Sequence, residues 1–287
     1  MQLWTNVNRR YLISAVDLQQ KLAEQTTFLI DTREPEDYGK GHLPGAVNLP
    51  PSSMEWSVAV SADTEIHHLL VPVERITPLL CFVGVRQDSR IVLYDEGAGY
   101  RAARVFWILD YFGHPDISIL DGGLSAWQSI RGPLVTQTAD PGRGDFVPEP
   151  DAGKIADFHR VRSGKIGGGT VFVNTLPKAS FKREAIPGSV NIPYTEIYQS
   201  QKPHRLRAPE ELQDLLKHAS VSPAQEVIFY CGIGYTASLL YLAARVLGYP
   251  RVRLYDGSLA EWKARGGALE PGSIDPRDID LSMELRL

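Results

Sequence analysis

Apolar positions along this chain follow two alternating patterns. Short β-branched runs at residues 27–30, 91–94, 171–173 and 227–230 stand between segments whose apolar residues recur with helical spacing. Ser14 followed by Asp17 is expected to cap a helix running toward Leu22. Pro209, with Glu210 and Glu211, is expected to open another through Leu212, Leu215 and Leu216. Residues 237–249 are apolar nearly all round, which predicts a buried helix stopped by Gly248 and Pro250. Strands and helices in alternation imply an α/β fold with mostly parallel sheets flanked by helices.

The pattern occurs twice. FLIDTREPEDYGKGHLPGAVNLP (28–50) lies without gaps on VFVNTLPKASFKREAIPGSVNIP (171–193), at an offset of 143 residues. AARVFWILDYFGHPDISILDGGLSAW (102–127) lies on ASLLYLAARVLGYPRVRLYDGSLAEW (237–262), at an offset of 135. Turn residues coincide in both blocks: Pro44-Gly45 meets Pro187-Gly188, Gly113 meets Gly248, and Asp121-Gly122 meets Asp256-Gly257. Chance would not keep turns and apolar runs together in the same order, and a period of this length is that of a whole domain. Two homologous domains are therefore expected, at 1–135 and 152–287. Residues 136–151, TQTADPGRGDFVPEPD, form a Pro- and Gly-rich linker between them.

Composition narrows the partners. The chain has 287 residues, is 43% hydrophobic and carries a net charge of −4, so it has ample material for a core and no general electrostatic reason to bind nucleic acid or an anionic membrane. Small-molecule partners are expected. Its two cysteines, Cys81 and Cys231, are too few for a disulfide framework and fit a reducing, cytoplasmic setting. The first residues lack the pattern of a cleaved leader, and no run of about 18 apolar residues occurs. The expectation is a soluble, unprocessed protein.

Candidate chemistry centres on EVIFYCGIGYTASLL. Cys231 follows a buried strand directly and begins a loop containing Gly232 and Gly234 that leads into the buried helix. Strand ends of parallel sheets are where ligands collect, and a loop curling into a helix start aims several amides at one point. Such a cradle favours an anion, here the thiolate. A packing cysteine would have no need of these glycines. Asp95 stands opposite Cys231 in the first repeat, YDEGAGYRAA against YCGIGYTA, so the first domain keeps the loop without a nucleophile.

These motifs resemble those of the tandem rhodaneses, the family that includes thiosulfate and 3-mercaptopyruvate sulfurtransferases. The resemblance rests on LIDTREPEDYGKGHLPGAVNLP and LDGGLSAW in the first half, and on IPGSVNIP, CGIGYTAS and LYDGSLAEW in the second. It implies two α/β domains and an active site between them. Cys231 would be the catalytic residue, passing sulfur from a small donor to a thiophilic acceptor as a persulfide. Gly232, Ile233, Gly234, Tyr235 and Thr236 would hold it, with no metal or organic cofactor. The loop looks closer to the mercaptopyruvate type, although Ile233 stands where that type usually has serine.

The second domain also has Asn174, Leu176 and Ala185 where the family has an Asp-x-Arg and a histidine. The first domain keeps Asp31, Arg33 and His42 there, expected to brace loops. Lys178, Lys182, Arg183 and Arg205 are the candidate cations for the donor's negative end. Cys81 lies in an apolar run and is expected to be packed and dispensable. Trp127 and Trp262 read as matched core anchors, and Asp256 with Ser258 is expected near the active loop.

Two other functions compete. A cysteine phosphatase would need an arginine six residues after the cysteine to clamp phosphate, and Ala237 stands there. A non-catalytic relay or binding module, charged with sulfur by a partner protein, is compatible with the altered second-domain motif.

Overall fold

The computed structural model describes residues 9–24, 27–164, 169–199 and 201–273. Its first half contains β1 (Leu12–Ile13), α1 (Ala15–Ala23), β2 (Phe28–Asp31), α2 (Pro35–Lys40) and β3 (Val47–Asn48). A hairpin, β4 (Glu55–Ser61) and β5 (Thr64–Leu70), follows, and then α3 (Val73–Phe82), β6 (Ile91–Tyr94), α4 (Tyr100–Tyr111), β7 (Ile117–Leu120) and α5 (Gly123–Ser129). The second half runs through β8 (Ile155–Ala156), α6 (Phe158–Ser163), β9 (Thr170–Asn174), α7 (Lys178–Arg183) and β10 (Val190–Asn191). It ends with α8 (Pro209–His218), β11 (Glu226–Tyr230), α9 (Tyr235–Val246), β12 (Val252–Tyr255) and α10 (Ser258–Ala264).

Each half is built on a five-stranded, all-parallel sheet. The order is β1-β7-β6-β2-β3 in the first and β8-β12-β11-β9-β10 in the second, the same topology repeated. Central strands β6 and β11 are buried along their whole length, as strands covered by helices on both faces must be. The expected helix starts are present. Ser14 caps α1 by accepting from Asp17 N at 3.1 Å, and Pro209 is the first residue of α8. Helix α9 begins at Tyr235, two residues before the apolar run suggested, because Gly234 adopts the left-handed φ of 92° that turns the chain. Residues 136–151 carry no helix or strand.

The halves meet where α4 packs on α9, both buried nearly all round. Polar contacts fix this seam: Tyr241 donates to Asp110 Oδ2 at 2.6 Å, and Lys154 Nζ lies 3.0 Å from Asp110 Oδ1. Asp31 and Arg33 form a buried pair at 2.5 Å, and Arg33 also reaches the Gly41 carbonyl. The fully buried His42 bonds the Tyr38 and Gln137 carbonyls. These three residues brace loops, as expected. Among the described residues no helix is long and apolar enough to cross a membrane.

Candidate active site

Cys231 lies at the carboxyl end of β11 with its backbone clamped by α10. Its amide donates to Ser258 Oγ at 3.1 Å, its carbonyl accepts from Leu259 N at 3.1 Å, and the Gly232 carbonyl accepts from Ala260 N at 3.0 Å. The expected approach of Ser258 to the loop is therefore real. The Gly234 amide donates to Cys231 Sγ at 3.0 Å. No Cβ fits at Gly234, where it would meet the Asp256 carbonyl at 2.9 Å and Arg104 Nη1 at 3.0 Å.

Of the amides expected to converge on the sulfur, Gly234's makes the bond. The others are best understood from the first domain. There Asp95 Oδ1 accepts from Gly97 N at 2.8 Å and Gly99 N at 2.9 Å, while Oδ2 accepts from Arg101 N at 3.2 Å and Ala102 N at 3.4 Å. Gly99 is the repeat equivalent of Gly234, and Arg101 and Ala102 are those of Thr236 and Ala237. The amides of the first helical turn have no acceptor within the helix, and in the second domain Thr236 and Ala237 hold the equivalent positions in the first turn of α9.

Cys231 lines a cavity of about 520 Å³ at the junction of the domains. Cys231, Gly232, Ile233, Tyr235 and Thr236 line it from the loop, with Leu176 and Tyr194 beside them. Glu34, His68, Tyr100 and Arg101 line it from the first domain. Cys231 itself is only 2% exposed, so it forms the floor, and Ile233, at 37%, stands at the rim. The Thr236 hydroxyl is shared with Thr175 Oγ1 at 3.0 Å.

Lys178, Lys182, Arg183 and Arg205, the candidate cations, are absent from this lining; Lys178 pairs with Glu196 at 3.3 Å, and Lys182 and Arg183 are exposed on α7. The reason is the pseudo-symmetry. Loops of the two domains face each other, so that Tyr100 and its equivalent Tyr235 meet at 6.3 Å, and the first domain completes the site.

Sequence reading missed the hairpin's contribution. Glu55 accepts from Tyr235 OH and lies against His68 Nδ1, both at 3.0 Å, making a carboxylate–imidazole pair at the cavity wall. Alternation of Trp56, Val58 and Val60 was the available signal for β4. Also missed was Arg104, fully buried, with Nε 3.2 Å from Glu55 Oε1 and Nη2 2.6 Å from Asp256 Oδ1. Burial opposes its charge, but Asp256 and then Glu55 outweigh this and leave the guanidinium more basic than usual. Cys81, on α3, is half-buried and its thiol faces the Phe146 carbonyl at 3.7 Å, away from the cavity.

Together these features define a class: a duplicated α/β protein with a cysteine in an amide-rich loop at one of two equivalent strand ends. The Rhodanese-like domain model matches twice, at residues 14–130 and 160–265, and the chain belongs to the rhodanese family. A probable 3-mercaptopyruvate sulfurtransferase of Pseudomonas aeruginosa is 31% identical over 270 residues, covering 88% of this chain and 94% of that protein. A thiosulfate sulfurtransferase of Azotobacter vinelandii is 28% identical over 264 residues, covering 88% and 93%. The crystal structure of SseA from Escherichia coli, described as a 3-mercaptopyruvate sulfotransferase, superposes with a TM-score of 0.76 at 28% identity, covering 86% of this chain and 98% of that one.

Proposed function

We propose that this enzyme is a sulfurtransferase that moves a sulfane sulfur from 3-mercaptopyruvate or thiosulfate, through a persulfide on Cys231, to a thiophilic acceptor such as cyanide or a thiol. The observation that carries this reading is the pair of matched cradles. Asp95 fills its own with two oxygens. Cys231 occupies the equivalent place with one sulfur bonded to the Gly234 amide. A second sulfur on Sγ would fall where the outer carboxylate oxygen of Asp95 lies, beside the amides of Thr236 and Ala237. The names of the relatives support the same reaction class.

With thiosulfate, the Cys231 thiolate attacks the outer sulfur, the donor's S–S bond breaks, and its electron pair leaves on sulfite. With 3-mercaptopyruvate, the C–S bond breaks and the pair goes to carbon as the enolate of pyruvate, which then takes a proton. His68, held by Glu55, lines the cavity and can deliver it, a role that Ile233 cannot fill. Cyanide then attacks the outer sulfur, thiocyanate leaves, and the thiolate returns. Loop residues Gly232, Ile233, Gly234, Tyr235 and Thr236 hold donor and persulfide, in a reducing cytoplasm that keeps the thiol free.

Initial rates of thiocyanate formation test this reading. Parallel double-reciprocal lines are expected for at least one of the two donors, the signature of a covalent intermediate. Absence of thiocyanate from either donor, with sulfur uptake from a partner protein's persulfide alone, would make the chain a relay module instead.

A further inference from the structure

The donors that fit the proposed reaction are anions, yet among the described residues the catalytic domain contributes no ammonium or guanidinium to the cavity lining. Leu176, which lines the cavity, stands where the first repeat has Arg33. Among the described residues, the guanidinium in the lining is that of Arg101, on the first turn of α4 in the domain without a nucleophile. It faces the loop because Arg101 is the repeat equivalent of Thr236, and the two loops oppose each other across the domain junction.

Its side chain is held but not saturated. Nη1 donates to Tyr100 OH at 2.6 Å and to Glu96 Oε1 at 2.8 Å. Nε lies 3.7 Å from Glu34 Oε1, beyond hydrogen-bond reach, and Nη2 makes no hydrogen bond among the described residues. Nε and Nη2 form the edge of the fork that binds a carboxylate or sulfonate through two parallel bonds. Its side chain is 23% exposed, enough to be reached and buried enough for the contact to be partly desolvated.

We propose that Arg101 binds the negatively charged end of the sulfur donor, so that the silent domain supplies the charge recognition missing from the catalytic one. The assignment rests on the sulfurtransferase reading of the same cavity. Glu34, also in the lining, is the competitor: an incoming anion must displace its carboxylate from Nε. Opposite effects at the two positions follow. Arg101→Gln weakens charged donors and Glu34→Gln strengthens them.

The test compares three donors with wild-type protein and the Arg101→Gln, Arg101→Lys and Glu34→Gln variants: 3-mercaptopyruvate, thiosulfate, and the uncharged ethyl ester of 3-mercaptopyruvate. Arg101→Gln should raise KM roughly 10- to 100-fold, the range of one charge-assisted contact, for the donor or donors it recognises. Values of kcat and the KM for the ester should stay near wild type. Glu34→Gln should lower KM for the same donors, and Arg101→Lys should restore part of the loss. A rise confined to 3-mercaptopyruvate identifies a carboxylate site, and one confined to thiosulfate a sulfonate site. Equal loss with acid and ester, or no change with either acid donor, overturns the assignment.

Binding of 3-mercaptopyruvate to Cys231→Ser protein, with and without Arg101→Gln, reads the same contact without turnover. A dead wild-type enzyme that still binds this donor through Arg101 would sink the catalytic reading and leave the Arg101 assignment standing.

Discussion

Residues 95–99 after β6 and residues 231–234 after β11 occupy the same place in the same fold, and they differ in what covers them. Residues 194–199 and 201–207 lie over the first: Tyr198 OH donates to the Ala98 carbonyl at 2.7 Å and Leu206 N to Asp121 Oδ1 at 3.0 Å. About 20 Å³ remains beside Asp95, room for roughly one water. Hairpin β4–β5 lies over the second, with Leu70 N donating to Asp256 Oδ2 at 2.9 Å, the pseudo-symmetric bond. There about 520 Å³ stays open above Cys231. The helices differ likewise. Arg104 approaches the Cys231 loop, whereas its repeat equivalent Leu239 packs against Gly99. Two features therefore separate the loops: the nucleophile and access to it.

The largest effect is expected at the nucleophile itself. Cys231→Ser should abolish sulfur transfer while leaving the fold intact, as read by thiocyanate formation and circular dichroism. Adding Asp95→Cys to that variant should restore nothing, because no donor reaches the covered loop; recovered turnover would show that the nucleophile alone was missing. Next in size, Arg104→Leu copies the first site's neighbour into the second. It strands the Glu55 and Asp256 carboxylates in the seam, and chemical denaturation should show a loss of about 3–5 kcal/mol, the cost of removing one partner from a buried ion pair.

Gly234→Ala forces a Cβ into the Asp256 carbonyl at a φ of 92°. It should slow transfer about 10²-fold through misplacement of Cys231, whereas Gly99→Ala, with its Cβ 2.8 Å from Tyr198 OH, should lower thermal stability and spare turnover. The smallest effect is expected at Cys81→Ser: unchanged transfer, and stability lower by no more than about 1 kcal/mol.

Much of the architecture was legible in the chain. Gap-free repeat blocks identified both domains, and the strand–glycine–helix context singled out Cys231, because those signals are local or depend on a fixed offset. Matching Tyr100 to Tyr235 and Arg101 to Thr236 was also open to the repeat, but that the matched residues face one another depends on how α4 packs on α9. Glu55, His68 and Arg104 escaped for a related reason. Each reaches the site across the domain junction, Arg104 bridging partners 49 and 152 positions away in the chain, and the hairpin carrying Glu55 and His68 lies outside both repeat blocks. The candidate cations on α7 failed because sequence adjacency to the altered motif says nothing about which domain's side chains fill the shared cavity.

Persulfide formation on Cys231 is tested most directly by intact-protein mass spectrometry after incubation with 3-mercaptopyruvate or thiosulfate, followed by peptide mapping. One added sulfur atom is expected on the Cys231 peptide, removed by cyanide. An unchanged mass with both donors, or sulfur carried by Cys81 instead, would contradict the sulfurtransferase reading.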